Sequence, residues 1–331
     1  MTFAHDLSAV PLMVAPSSRR KTTSALQQRG RGKSTSALYV ARGADVTRVQ
    51  RARSCVLPAA QQNFAVASHY NAIDHSLVLA HGASYAILSQ GVSRSSLAFA
   101  RVLVHALERV CAALSSSARP LNEATVTSVV GVAIASARTA FRGHDMAAEA
   151  SLSVAFAHPE THKLFVYTLG RAKVLVVRDR AIVFESSSVL HGFHTPARVC
   201  ASPDADPQVG RTEAFQLAPN DTALLVSASI ADTLFADEIA AASPRELVHR
   251  CTQRTMSLMP HTTPLAARAA AMYAQLTQRE NAAATSRPLL GRAHYVAPFA
   301  PIDLSQIHAL ATTPRVLDDV ACIALTLPAM Q

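Results

Sequence analysis

The chain has 331 residues, half of them hydrophobic, with a formal net charge of +9. That length can bury a full core and suits one large domain or two ordinary ones, and no apolar run reaches the roughly 18 residues that cross a bilayer as a helix. With no tryptophan and 5% aromatic residues, the composition also argues against a face built to stack single-stranded bases.

Basic character belongs to one end. Residues 1–56 hold ten Arg and Lys against Asp6 and Asp45, a net +8, which leaves +1 for everything else. This Ser- and Arg-rich, acid-poor stretch predicts an extension separate from the domain at 57–331. Its composition suits targeting to the mitochondrial matrix. The same charges would neutralise phosphates and release counterions, so Arg19, Arg20, Lys21, Arg29, Arg31, Lys33, Arg48, Arg51 and Arg53 are candidate RNA contacts. A solvated tail is the third reading. Gly32-Lys33-Ser34 ends like a phosphate-binding loop, but Gln27 stands where that loop needs glycine and no apolar strand leads into it.

From about residue 57 the elements follow one another. Residues 76–81 and 84–89 read as a strand pair about Gly82-Ala83. Helical spacing then runs over 95–114, with Ser95 or Ser96 as cap, and over 122–141 from Asn122. Four strand-like runs follow at 151–157, 163–169, 173–178 and 181–186, close enough for an antiparallel meander. Strands at 212–217 and 222–228 come next, then helices over about 236–257 and 264–283. Residues 284–318, with Pro288, Pro298, Pro301 and Pro314, read as irregular, and 320–327 as a buried strand. The order predicts an α+β layered sandwich of two antiparallel β-sheets flanked by helix pairs.

Candidate chemistry is sparse. Cys55, Cys111, Cys200, Cys251 and Cys322 form no CxxC pair and suit free thiols in a reducing compartment. His191 and His194 have HxxH spacing, but two histidines do not complete a metal site. No GxSxG turn marks a serine nucleophile.

Five fragments in order carry a resemblance: YAILSQGVS, FVYTLGRAKVLVVRD, VLHGFHTPARV, LLVSASIADTLFADEI and DDVACIAL. Over roughly residues 70–328 the chain resembles the protein phosphatase type 2C family of metal-dependent Ser/Thr phosphatases, especially its mitochondrial-type branch. The family usually reads VADGVGG, NLGDSGFLVVR, QxHxFNxPxQL, LATDGLFDNL and DDITVVV at those places. The resemblance implies two divalent cations, held by carboxylates at the centre of the sandwich, that generate the attacking hydroxide.

At the matched positions the carboxylates are mostly missing. Asp-Gly becomes Gln90-Gly91, Gly-Asp-Ser becomes Gly170-Arg171-Ala172, and Asp-Gly-Leu becomes Ala228-Ser229-Ile230, although Asp232 and Leu234 still match the tail of that motif; only the last motif keeps its acid, as Asp318 beside Asp319. A pair of Mg²⁺ or Mn²⁺ ions needs several anionic oxygens, and Arg171 beside a dication would oppose it by several kcal/mol, at an effective dielectric of about 20. No cofactor is therefore expected. Arg171 is instead expected to approach Asp318 or Asp319 as a structural counter-ion, or to contact a phosphate.

The leading expectation is a catalytically inactive phosphatase-like subunit of a mitochondrial complex. It would contact other protein subunits, and RNA through the basic extension, in a ribosome or a ribosome-assembly particle. The alternatives are an active metal-dependent phosphatase and a metal-free phosphopeptide-binding module.

Overall fold

A computed structural model describes residues 38–41, 64–69, 77–115, 121–158, 160–202, 210–257, 263–285, 304–312 and 319–326. Contacts divide the chain into Met1–Thr35 and Ser36–Gln331, and only the second unit falls among the described residues. The candidate RNA contacts from Arg19 to Arg53 lie outside them.

In chain order the elements are β1 Leu38–Ala41, β2 Phe64–His69, β3 Leu77–His81, β4 Tyr85–Gly91, α1 Arg94–Ser115 and α2 Glu123–Ala140. Next come β5 Glu149–Ala157, β6 Lys163–Leu169, β7 Lys173–Arg178, β8 Ala181–Glu185, β9 Leu190–Gly192, β10 Thr195–Pro196, β11 Val199–Cys200, β12 Arg211–Gln216 and β13 Thr222–Val226. The last are α3 Ala228–Thr233, α4 Ala236–Ala240, α5 Pro244–Met256, α6 Pro264–Thr285, α7 Leu304–Thr312 and β14 Val320–Thr326.

The fold is α+β. One antiparallel sheet runs β1-β2-β14-β13-β7-β8, and a second runs β12-β6-β5-β4-β3 with β11 on β5. Strand alternation builds three apolar layers from these two sheets. Leu88, Leu164, Val166, Val174, Leu225 and Ile323 fill the space between them. Their neighbours Ile87, Phe165 and Tyr167 turn outward against α1 and α2, while Leu175, Leu224 and Cys322 turn outward toward α3, α4 and α5. Strands covered on both faces must be apolar throughout, which is why KLFVYTL and TALLV show runs and not alternation. Each Leu or Phe fully buried this way contributes about 1.5–3 kcal/mol.

The caps also follow from sequence. Asn122 accepts the Thr125 amide at 2.8 Å to start α2. Ser243 and Glu246 form a capping box around Pro244 at the start of α5. That cap divides the helix expected over about 236–257 into α4 and α5. Further elements differ from the sequence reading: β1 and β2 pair within the first sheet, the short β9, β10 and β11 lie in the stretch read as loop, and α7 occupies part of the stretch read as irregular. Leu38–Ala41 thus lies in the sheet although its residues fall within the 1–56 extension.

Candidate functional site

The four turns that match the metal-binding motifs meet at one end of the sandwich. Gln90, near the end of β4, pairs with Leu77 on one side and Ser151 on the other. The Ser151 hydroxyl donates to the Gln90 carbonyl at 3.3 Å, and the Ser89 hydroxyl donates to the Ser151 carbonyl at 2.9 Å. Gly91 is required by a close crossing, since a Cβ there would lie 2.6 Å from the Ser96 backbone at the start of α1.

The second turn follows β6. Gly170 has φ +127°, and its bare Cα faces Ser151, whose Cβ would stand 2.7 Å from an added methyl. This left-handed turn presents Arg171.

The third turn carries Ser227-Ala228-Ser229. The Ser227 hydroxyl accepts the Ala321 amide at 3.1 Å, and the Ser229 hydroxyl donates to the Asp319 carbonyl at 3.0 Å. Here the small residues that replace the metal motif tie the start of α3 to β14. At the fourth turn, Asp319 is fully buried and its carboxylate accepts the Leu77 amide at 2.9 Å. Leu77 therefore touches both Gln90 and Asp319. Asp318 lies outside the described residues.

Arg171 was expected near Asp318 or Asp319; Asp318 lies outside the described residues, and a carboxylate that the structure places against Arg171 is Asp232. Nη1 donates to Asp232 Oδ2 at 2.8 Å, between side chains that are 18% and 6% exposed. The physical reason is the helical start at Ala228, which the sequence reading had extended as strand. Residues four apart share a helix face, so Asp232 lies one turn beyond Ala228. Two more groups join it: Arg268 of α6 donates to Asp232 Oδ1 at 2.9 Å, and the His194 ring nitrogen Nδ1 lies 2.8 Å from Arg171 Nη1. Thus Asp232 has a guanidinium on each oxygen.

Arg268 was missed, although it is the lone charge between Pro264 and Gln275 in an Ala-rich helix. A single charge in such a run is the signal that could have found it. His194, at φ 61° between β9 and β10, belongs to this ion cluster, while His191 is exposed.

A dication pair does not fit the described donor set. Gln90 is neutral, Ala228 has no donor, Arg171 is cationic, and the Asp232 and Asp319 carboxylates already serve as acceptors. Among the described residues no group of three or more His, Cys, Asp or Glu is placed to hold a metal ion.

No protein-family profile matches the chain, and no curated protein matches it either. Its structural neighbours are phosphatases of the 2C type. The chain is similar to the photosystem II phosphatase PBCP, at 14% identity over 77% of this chain and 92% of that one, with a TM-score of 0.49. It is also similar to the Ser-Thr phosphatase MsPP of Mycobacterium smegmatis, at 11% identity over 81% and 99% with a TM-score of 0.49. A third is the Mycobacterium tuberculosis phosphatase PstP/Ppp, at 10% identity over 80% and 98% with a TM-score of 0.48. Likeness at this level carries no inference about activity.

Proposed function

We propose that the chain is a non-catalytic, phosphatase 2C-like subunit. The supporting observation is the substitution chemistry of the site: three metal-turn positions carry Gln90, Arg171 and Ala228, and Asp232 is held between Arg171 and Arg268. Metal-assisted phosphoester hydrolysis draws its nucleophile from a bound cation, and these positions supply no anionic ligand for one.

The test is hydrolysis of p-nitrophenyl phosphate and of a phosphothreonine peptide by the full chain with Mn²⁺ or Mg²⁺, alongside Mn²⁺ titration by calorimetry. No turnover above blank and no heat of binding are expected. Metal-dependent turnover abolished by Asp318→Ala would overturn the reading and restore the active phosphatase.

The setting we propose is a mitochondrial complex, with RNA contact through residues 1–56. Support for it is the composition of that stretch alone, a net +8. Sedimentation of the native protein from an organelle lysate, with and without RNase, tests it. A heavy, RNase-sensitive peak is expected, and a monomer-sized peak sinks this part while leaving the inactive centre untouched.

A further inference from the structure

Four segments far apart in sequence meet at the vacated metal centre: the β6–β7 turn through Arg171, the β9–β10 hairpin through His194, α3 through Asp232, and α6 through Arg268. A binuclear metal site does the same mechanical work, drawing loops together around concentrated charge. Here the charges belong to side chains and their signs are reversed, with one carboxylate at the centre and cations around it.

Resting on the non-catalytic reading, we propose that the Arg171–Asp232–Arg268 triad is a protein-borne substitute for the metal cluster, a latch that fixes α6 and the β9–β10 hairpin to the sandwich. The placement of α6 supports this. It packs on α3 and on α7, with the Tyr273 and His308 rings 5.1 Å apart between α6 and α7. Its buried residues Leu265 and Ala269 lie on either side of Arg268 in sequence, so the exposed Arg268 reaches Asp232 from the margin of the face that α6 turns inward. Neither Leu265 nor Ala269 belongs to the three main apolar layers. Apart from Leu265, the residue it buries there is the small Ala269, so apolar burial alone holds this end of α6 only in part and the ion pair adds to it.

The two arms have different surroundings. Arg171 is 18% exposed and its bond to Asp232 is shielded, whereas Arg268 is 54% exposed and meets water. Solvent weakens the second arm, so α6 is the part the latch releases first.

Amide hydrogen exchange on the full-length protein tests the proposal. In Asp232→Asn, exchange should quicken at least tenfold in Pro264–Thr285 and in residues 190–196, with β5 and β6 unchanged. Arg268→Gln should loosen α6 alone, and Arg171→Gln the hairpin more than α6. Equal acceleration everywhere, or no acceleration in α6, would overturn the latch. Failure of the two proposals is separable. Mn²⁺-dependent hydrolysis by the wild type would end the non-catalytic reading, whereas unchanged exchange in Asp232→Asn would end the latch without supplying a metal site.

Discussion

Arg178 holds Asp221 by two parallel hydrogen bonds, Nε to Oδ1 and Nη2 to Oδ2, each 2.8 Å, at a carboxylate with no solvent exposure. The carboxylate also accepts the Ala218 amide at 2.8 Å, which fixes the turn into β13. This pair lies at the far end of β13 from the Ser227-Ala228-Ser229 turn, so one short strand has an ion pair beyond each end. Asp221→Ala removes the acceptor for three donors. Arg178 is 39% exposed and can rehydrate. The loss should therefore be about 2–3 kcal/mol, below that of a fully orphaned buried charge. Urea unfolding checks it, and an unchanged midpoint would show that the pair is energetically idle.

The same pair sets a pH dependence. Hydrogen bonds from Arg178 keep the Asp221 carboxyl below its ordinary range, against the opposing effect of burial. Glu238 is held down in the same sense by Arg254. A carboxyl depressed in the folded state contributes stability that is complete above the unfolded value, near 3.9 for Asp and 4.3 for Glu. That contribution is lost as pH falls through the lower folded values. Stability should therefore drop from about pH 5 downward, and Asp221→Asn should flatten the slope. Parallel urea titrations at several pH values give both curves; identical slopes would refute the assignment to Asp221.

The main layers were legible because strands buried on both faces leave continuous apolar runs, and long helices leave periodic ones. Shorter elements were not. Phe64–His69 is six residues with no glycine or proline closing it, and it becomes a strand by lying between β1 and β14. Leu304–Thr312 was obscured by the prolines around it. At the candidate site, the residues Gln90, Arg171 and Ala228 could be read position by position, because residue identity is a local fact. The partner of Arg171 could not. Asp232 itself matched a motif, but pairing it with Arg171 required knowing that Ala228 opens a helix, and finding Arg268 required knowing where α6 docks. Both are tertiary facts.

Gly170 should tolerate no side chain. Its φ is +127°, and a Cβ would stand 2.7 Å from that of Ser151. Backbone strain of this kind costs about 1–3 kcal/mol before any clash is counted. Gly170→Ala should lose at least that much in urea unfolding. The double variant Gly170→Ala/Ser151→Gly relieves the contact but not the dihedral angle, so it should recover only part of the loss. Full recovery would mean that packing alone, and not backbone conformation, selects glycine here.

Gly131 predicts the opposite sign. It lies inside α2 on an exposed face, and an added Cβ would meet nothing within 4 Å. Glycine in an exposed helix interior costs about 0.5–1 kcal/mol relative to alanine. Gly131→Ala should therefore raise stability by that amount and lift Tm. A loss of stability would reveal a contact of α2 that involves the glycine backbone.

The described cysteines should separate cleanly by reactivity, because the thiolate is the reacting form. Burial, with Glu108 nearby, pushes the Cys111 thiol up to about 12, and burial alone does the same for Cys322. Cys251 is also fully buried and donates to the Ser229 carbonyl, whereas Cys200 is half-buried at the edge of the second sheet. Iodoacetamide at about pH 8 should alkylate Cys200 first among these four, leaving Cys111 and Cys322 unmodified until the protein unfolds. Peptide mass spectrometry of timed samples reads the order. Early labelling of Cys322 would mean that β14, whose Ala321 amide is held by Ser227, opens in the native state.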